Sequence, residues 1–213
     1  MKGMHTVFRA FTAAALIAGS VSCGDVVRNS RAPVLLVVDS LGAIRGTAAA
    51  GGTAVGSLAS DVLTIVTSGG TCTTTNPCPT IFTDSGQVGM HIVMKDIGQP
   101  GVTVDPSTNN AVTITRVHVA YHRTDGRNQE GVDVPYAFDT ATTATITGSS
   151  TVSFGFQLVR IQAKQEPPLL ALVSNAQFIS TIADVTFYGQ DVVGNAISAT
   201  GSIGVTFGNF GDQ

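Results

Sequence analysis

The sequence predicts an all-β protein built as an antiparallel β-sandwich of about seven to nine strands. Only 12% of the residues are charged and Trp is absent, whereas Thr, Ser, Gly, Ala and Val are plentiful, and β-branched residues favour strands over helices. Apolar and polar residues alternate along much of the chain, and Gly, Pro and Asn separate the alternating segments. This combination is typical of antiparallel sheets packed face to face.

The N-terminal residues predict export. Met1 to Arg9 carries Lys2 and Arg9 but no acid, and an apolar run follows that ends in small residues before Cys23. A basic start, a short apolar run and small residues at a cut site form a secretory signal. The run is shorter than the roughly 20 residues that a membrane-spanning helix needs. We therefore expect residues 1–22 to be a cleaved signal peptide.

The sequence Ser20-Val21-Ser22-Cys23 resembles the lipobox of bacterial lipoproteins, although Ser20 stands where that family usually has Leu. The resemblance implies cleavage before Cys23 and lipidation of this residue. Residues 23–33 would then be a tether, and residues 34–213 a single domain. It also implies location at the bacterial cell envelope, as an outer-membrane lipoprotein on the periplasmic or surface face. Ordinary secretion, with Cys23 as a free thiol, is the alternative.

The charge of the chain bears on its partners. Without residues 1–22 it has nine basic and fourteen acidic residues, a formal charge of −5. Nucleic-acid binding needs a basic patch, so we expect no nucleic-acid partner. Because no polybasic segment is present to attract anionic lipid, membrane attachment would depend on acyl chains at Cys23.

Cysteine usage fits an exported protein. The three Cys residues are Cys23, Cys72 and Cys78, and an odd number in such a protein requires an explanation. A disulfide between Cys72 and Cys78 leaves Cys23 for the lipid. A loop this short gains roughly 2 kcal/mol from the crosslink. Zinc binding by the same pair is the alternative, but the spacing exceeds the usual gap and no His lies nearby.

The first half of the domain is predicted as strands and loops in turn. The segment 34–38 is a continuous apolar run typical of a buried strand, although the run to Ile44 is also compatible with a helix. The glycine-rich segment 46–56 predicts a loop. A further strand is predicted at 61–67, followed by an exposed loop at 68–80 that holds the two Cys. From Gly89 the alternation indicates a strand with Met90, Ile92 and Met94 on one face.

The second half shows the clearest alternation. Segment 112–123 predicts a strand in which the inward parity changes near Thr115-Arg116, as a β-bulge requires. Strands at 142–147 and 151–162 and helical turns at 169–176 are predicted next. Two long alternating runs, 179–187 and 197–207, flank a turn at 190–195 and predict a β-hairpin. The architecture resembles an Ig-like sandwich, without the Cys and Trp landmarks of antibody domains.

The polar segment 118–139 is the candidate binding loop, because loops between strands often carry binding residues. One interpretation is a calcium site with Asp125, Glu130 and Asp133 as ligands. Arg123 and Arg127 would compete for the same carboxylates. A solvated loop held by Arg–carboxylate pairs and an Asp-Gly turn is the other interpretation. The candidate binding residues are Arg123, Asp125, Arg127, Glu130, Asp133, Tyr136 and Asp139.

No sequence pattern indicates catalysis. G-x-S-x-G, H-E-x-x-H, P-loop and dinucleotide-binding motifs are missing from the sequence. His118 and His122 would share the outer face of one strand about 13 Å apart, too far to bind one ion together. We therefore predict no enzyme, metal or cofactor.

The expected function is a lipid-anchored, non-catalytic binding or structural module at the envelope, with another envelope protein or itself as partner. A subunit of a surface assembly or fibre and an unrecognised envelope hydrolase are the alternatives.

Overall fold

The computed structural model describes residues 31–48, 51–96, 98–99, 101–102 and 104–211. Ten strands and three short helical segments lie in these residues. The strands are β1 (Val34–Ile44), β2 (Ser57–Asp61), β3 (Thr64–Val66), β4 (Cys78–Thr80), β5 (Asp84–Met94), β6 (Val112–His122), β7 (Phe138–Ile146), β8 (Val152–Val159), β9 (Phe178–Asp191) and β10 (Ala196–Gly208). A short α-helix, α1, spans Ile161–Lys164, and 3₁₀ turns span Thr108–Asn110 and Leu169–Ser174.

The strands form a five-stranded sheet, a three-stranded sheet and one separate pair. The strand orders are β2-β10-β9-β6-β7 and β1-β5-β8, while β3 pairs with β4. Every pairing is antiparallel except that of β10 with β2. The predicted all-β, sandwich-like fold is therefore confirmed, with β3 and β4 raising the strand number above seven to nine. The finer resemblance to an Ig-like domain stays a prediction.

The core lies between the inner faces of the two larger sheets. Phe187 of β9 is fully buried, and its ring makes edge-to-face contacts with Phe154 and Phe156 of β8 at centroid distances of 5.9 and 5.4 Å. Such pairs add to the free energy gained by burying their apolar area. The three rings therefore pack β9, the central strand of the larger sheet, against β8, an edge strand of the smaller one.

The predicted terminal hairpin is confirmed. β9 and β10 pair in unbroken register from Gln190 with Ala196 to Phe178 with Gly208. Asp191 Oδ1 accepts the backbone N–H groups of Val193 and Asn195 at 3.1 and 2.8 Å, which fixes the turn. β9 lies inside the sheet, between β10 and β6.

The predicted bulge in β6 is also confirmed. The register with β7 and with β9 shifts between Ile114 and Arg116. One extra residue here changes which parity faces the core. As a result Val117, Val119 and Tyr121 are buried together with Ile114.

The prediction of one strand at 61–67 is wrong, because this segment contains the end of one strand and the whole of another. β2 ends at Asp61 and β3 begins at Thr64, and the two strands belong to different sheets. The buried Asp61 carboxylate accepts hydrogen bonds from Arg45 Nη2 at 2.7 Å, Thr64 Oγ1 at 3.1 Å and the Phe210 backbone N–H at 3.2 Å. Because these donors surround one carboxylate, the chain turns at residue 62 instead of continuing straight.

Other predicted boundaries change as well. β7 begins at Phe138 instead of 142, and β8 ends at Val159 instead of 162. The residues after Val159 form α1, in which Ala163 and Lys164 are buried. The predicted helical turns near 169–176 are present as the 3₁₀ segment Leu169–Ser174.

The buried hydroxyl of Tyr121 should make the folded state less stable at alkaline pH. Its hydroxyl donates to the carbonyl of Leu158 at 2.5 Å, and burial raises the pKa of the phenol well above its usual range. The folded state therefore retains a proton that the unfolded state loses above about pH 10, so this contribution to stability is lost as the pH rises past that value. At pH 7, Tyr121→Phe should have a free energy of unfolding about 1–2 kcal/mol lower than the wild type, because the Leu158 carbonyl loses its partner. Between pH 9 and 11, however, this variant should lose less stability than the wild type.

The exposed Tyr136 provides the control for this measurement. Tyr136→Phe should retain the wild-type dependence of unfolding free energy on pH, because its side chain is exposed. Equal alkaline slopes for wild type and Tyr121→Phe would contradict the prediction.

Candidate functional site

Arg–carboxylate pairs organise the first part of the candidate binding loop. Arg123 Nε donates to Asp125 Oδ1 at 3.0 Å, and Arg127 Nε donates to Asp125 Oδ2 at 3.2 Å. The hydrogen bonds from Arg123 hold the pKa of the Asp125 carboxyl far below its usual range. Gly126 has a φ of +82°, as the Asp-Gly turn requires. The charge of Asp125 is therefore engaged within the loop.

The remaining candidate residues are not gathered around Asp125. Glu130 accepts the backbone N–H of Ala137 and Asp133 that of Gln129, both at 3.3 Å. Tyr136 is exposed. Asp139 lies in β7 and not in the loop, where it accepts hydrogen bonds from Arg116 and His118. Among the residues with described positions, no group of three or more His, Cys, Asp or Glu side chains is placed to hold a metal ion.

The beginning of this loop borders a shallow cleft of about 220 Å³. Arg123, Thr124, Asp125, Phe178 and Ser180 line it. Phe178 is 68% exposed, although it is a large aromatic residue at the start of a strand. Sequence analysis missed this residue, but a signal was present, because Phe178 has the same parity as the outward-facing Ser180 and Asp184. An aromatic side chain on the polar face of an alternating strand points to a contact surface.

The outer face of the five-stranded sheet is a polar surface. His118 and His122 point outward, as predicted, on the face opposite the buried Val117, Val119 and Tyr121. His122 Nδ1 lies 3.2 Å from Asp184 Oδ2, and Ser202 Oγ donates to Asp184 Oδ1 at 2.6 Å. The hydroxyl therefore donates to the carboxylate that also contacts His122, which differs from a Ser–His–Asp triad, in which the hydroxyl donates to the imidazole.

The third His with a described position lies in the other sheet. His91 Nδ1 is 2.6 Å from Asp39 Oδ1, and Thr151 Oγ1 donates to Asp39 Oδ2 at 2.6 Å. The hydrogen bond from Thr151 lowers the pKa of Asp39, and His91 adds to that effect. His91 is therefore separated from His118 and His122, and the three do not form one site.

A buried ionic pair lies at the start of β5. Lys164 Nζ is 2.8 Å from Asp84 Oδ2, and their side chains are 1% and 0% exposed. Lys164 also donates to the carbonyl of Phe82 at 2.7 Å. Asp84 accepts from Ser60 Oγ at 2.6 Å and from the backbone N–H of Gly46 at 2.8 Å. Sequence analysis missed this group, since neither charged residue stands in a motif.

A second ion pair lies beside this group. Arg45 Nη2 donates to Asp61 Oδ2 at 2.7 Å, and only the Arg45 side chain is partly exposed. Both residues act electrostatically on Lys164. The two negative charges of Asp84 and Asp61 are thus matched by the two positive charges of Lys164 and Arg45. Arg45 also lines a cleft of about 360 Å³ together with Thr47, Ala48 and 64–68.

The disulfide prediction is confirmed. Cys72 and Cys78 are joined, with their Cα atoms 5.4 Å apart. Cys23, the predicted signal peptide at residues 1–22 and most of the predicted tether lie outside the described residues. Across the described part of the chain, no helix is long and apolar enough to cross a membrane.

Comparison with known proteins leaves the site to be interpreted from its own geometry. The chain matches no family model, no curated protein and no solved structure. The geometry presents one exposed aromatic cleft, one polar sheet face and one buried ionic group.

Proposed function

We propose that the protein is an exported, lipid-anchored β-sandwich that acts as a non-catalytic binding or structural module at the bacterial cell envelope. The signal segment and the lipobox-like sequence before Cys23 support the anchor. The exposed Phe178 beside the Arg123–Asp125 pair carries the binding part of the proposal. Aromatic and Arg side chains are the residues that most often dominate binding energy in protein interfaces.

The position of the first strand fits a membrane-proximal domain. Ala32 and Val34 are already buried in the core, so little chain separates Cys23 from the domain. Eleven residues at roughly 3.5 Å each reach at most about 40 Å. A protein anchored at Cys23 would keep its sandwich close to the lipid surface, where its partner must then also lie.

Lipidation is tested by metabolic labelling with a fatty-acid analogue. We expect label on the wild-type protein and none on Cys23→Ser, because Cys23 is the proposed acylated residue. The matched control replaces the other two cysteines: Cys72→Ser/Cys78→Ser should keep the label. Label that survives Cys23→Ser would exclude this anchor.

The binding surface is tested by photo-crosslinking in cells. A photo-reactive phenylalanine analogue at position 178 should capture an envelope component, and Arg123→Gln should weaken that capture. Position 193 is the control, because Val193 is 77% exposed and lies beyond the far end of the 14-residue strand β9, about 45 Å away. Equal crosslinking at both positions would contradict a specific surface at Phe178.

One observation keeps the assembly subunit as a second candidate. β2 pairs with β10 only at 204–208, so within the described residues no strand pairs with 196–203 on the side away from β9. Val192 and Val193 are exposed beside this segment, and an unpaired strand edge can pair with another chain. Light scattering on residues 24–213 should then show oligomers whose population grows with concentration. A strict monomer at high concentration would exclude self-assembly through this edge.

A further inference from the structure

We propose that Lys164 and Asp84 react with each other after folding to form an intramolecular amide bond. The bond would be a covalent modification additional to the disulfide, and it does not depend on the proposed binding function. It would join the first residue of β5 to α1, across 80 residues of sequence.

The geometry brings the two reacting groups into contact and excludes water. Lys164 Nζ is 2.8 Å from Asp84 Oδ2, with the side chains 1% and 0% exposed. Holding two reactants in contact inside a folded protein replaces a bimolecular encounter with a much faster unimolecular step. A buried amine and a buried carboxyl held in this way are suited to condensation.

Burial also favours the neutral form of the Lys164 amine. Desolvation lowers the pKa of Lys164, and the negative charge of Asp84 only partly opposes this effect. Transfer of one proton from the ammonium to the carboxylate that it contacts gives the neutral amine. The neutral amine is the nucleophile, as for other desolvated lysines.

The condensation balances without any outside reagent. After the proton transfer, Nζ attacks Asp84 Cγ and the N–C bond forms. A second proton passes from Nζ to Oδ2, the Cγ–Oδ2 bond breaks, and Oδ2 leaves as water. The product is a secondary amide that retains one N–H and Oδ1. No oxidant, reductant or cofactor takes part.

Two neighbouring donors are placed to assist this reaction. The Gly46 N–H lies 2.8 Å from Oδ1, where negative charge develops during the attack, and such donors stabilise tetrahedral intermediates. Ser60 Oγ lies 2.6 Å from Oδ2, the leaving oxygen. A Cβ on residue 46 would stand 2.1 Å from the Thr83 carbonyl oxygen, so glycine permits this close approach of the backbone.

Mass spectrometry of the purified protein tests the proposal. After reduction of the disulfide and digestion with trypsin, the wild-type protein should give a joined pair of peptides that is lighter than the sum of its two parts by about 18 Da, the one water lost when the amide forms. Trypsin does not cleave after an acylated lysine. The digest should therefore contain peptide 161–213 joined to peptide 46–95, and the free peptide Ile161–Lys164 should be missing.

Localisation by peptide is necessary because the Asp125-Gly126 sequence can also lose water by forming a cyclic imide. That reaction would place the mass loss in peptide 124–127. A free Ile161–Lys164 peptide as the main product, together with a separate peptide 46–95 of full mass, would overturn the proposal.

Two lysine variants supply a matched comparison. Lys164→Met keeps most of the length of the unbranched side chain but removes the amine, so its peptides 46–95 and 161–213 should be separate and of full mass. Lys95→Met makes the same change at an exposed position and should keep the loss of water. A loss retained at residue 84 in Lys164→Met would contradict the assignment. If that variant fails to fold, the wild-type digest decides alone.

Discussion

Phe187→Ala should lower the free energy of unfolding by about 3–5 kcal/mol. The side chain is fully buried in the middle of the sandwich and contacts the rings of Phe154 and Phe156 edge to face. Truncation removes both contacts and leaves a cavity between two sheets that cannot collapse without moving their backbones. Since single domains are stable by only about 5–15 kcal/mol, this variant should be close to unfolding at 37 °C.

Urea denaturation followed by tyrosine fluorescence measures this loss of unfolding free energy. The control is Phe178→Ala, which removes the same side chain from a site that is 68% exposed. It should change the unfolding free energy by less than about 0.5 kcal/mol. Similar losses for the two variants would mean that the core is not centred on Phe187.

Asp84→Leu should also destabilise the protein strongly, by about 3–5 kcal/mol, because it leaves a buried ammonium without its carboxylate. Among the residues that the structure describes, the Phe82 carbonyl is then the one acceptor left for Lys164. The double variant Asp84→Leu/Lys164→Met removes both charges and should be more stable than Asp84→Leu alone. Lys164→Met should lie between them, since Ser60 and Gly46 still donate to Asp84.

Comparing the three variants separates this effect from the proposed amide. None of them can form that bond, so its contribution cancels among them. The unfolding free energies come from urea titrations at pH 7. A double variant less stable than Asp84→Leu would contradict the view that the unpaired ammonium causes the loss.

The strands that sequence analysis placed correctly are those in which apolar and polar residues alternate over a long continuous segment. The hairpin β9–β10 and the bulge near Arg116 follow from the period of two alone, because one face of each strand is buried and the register is therefore fixed. The pairing of Cys72 with Cys78 followed from their short separation and from the odd cysteine number.

The errors arose where a distant partner changes the local structure. One strand was predicted at 61–67, but Arg45 and Phe210 bring their donors to Asp61 and the chain turns there. Asp139 was assigned to a loop because it follows polar residues, yet its register partner His118 places it in β7. Partners of this kind become visible only when the sheets are assembled.

The sequence by itself determined the all-β class, the antiparallel hairpin, the bulge and the disulfide, because each depends on residues close together in the chain. It also carries the predicted signal and lipobox, which remain predictions. Only the tertiary structure brought Phe178 beside Arg123 and Lys164 against Asp84. These contacts join residues 55 and 80 positions apart, and their geometry depends on which strands become neighbours in each sheet.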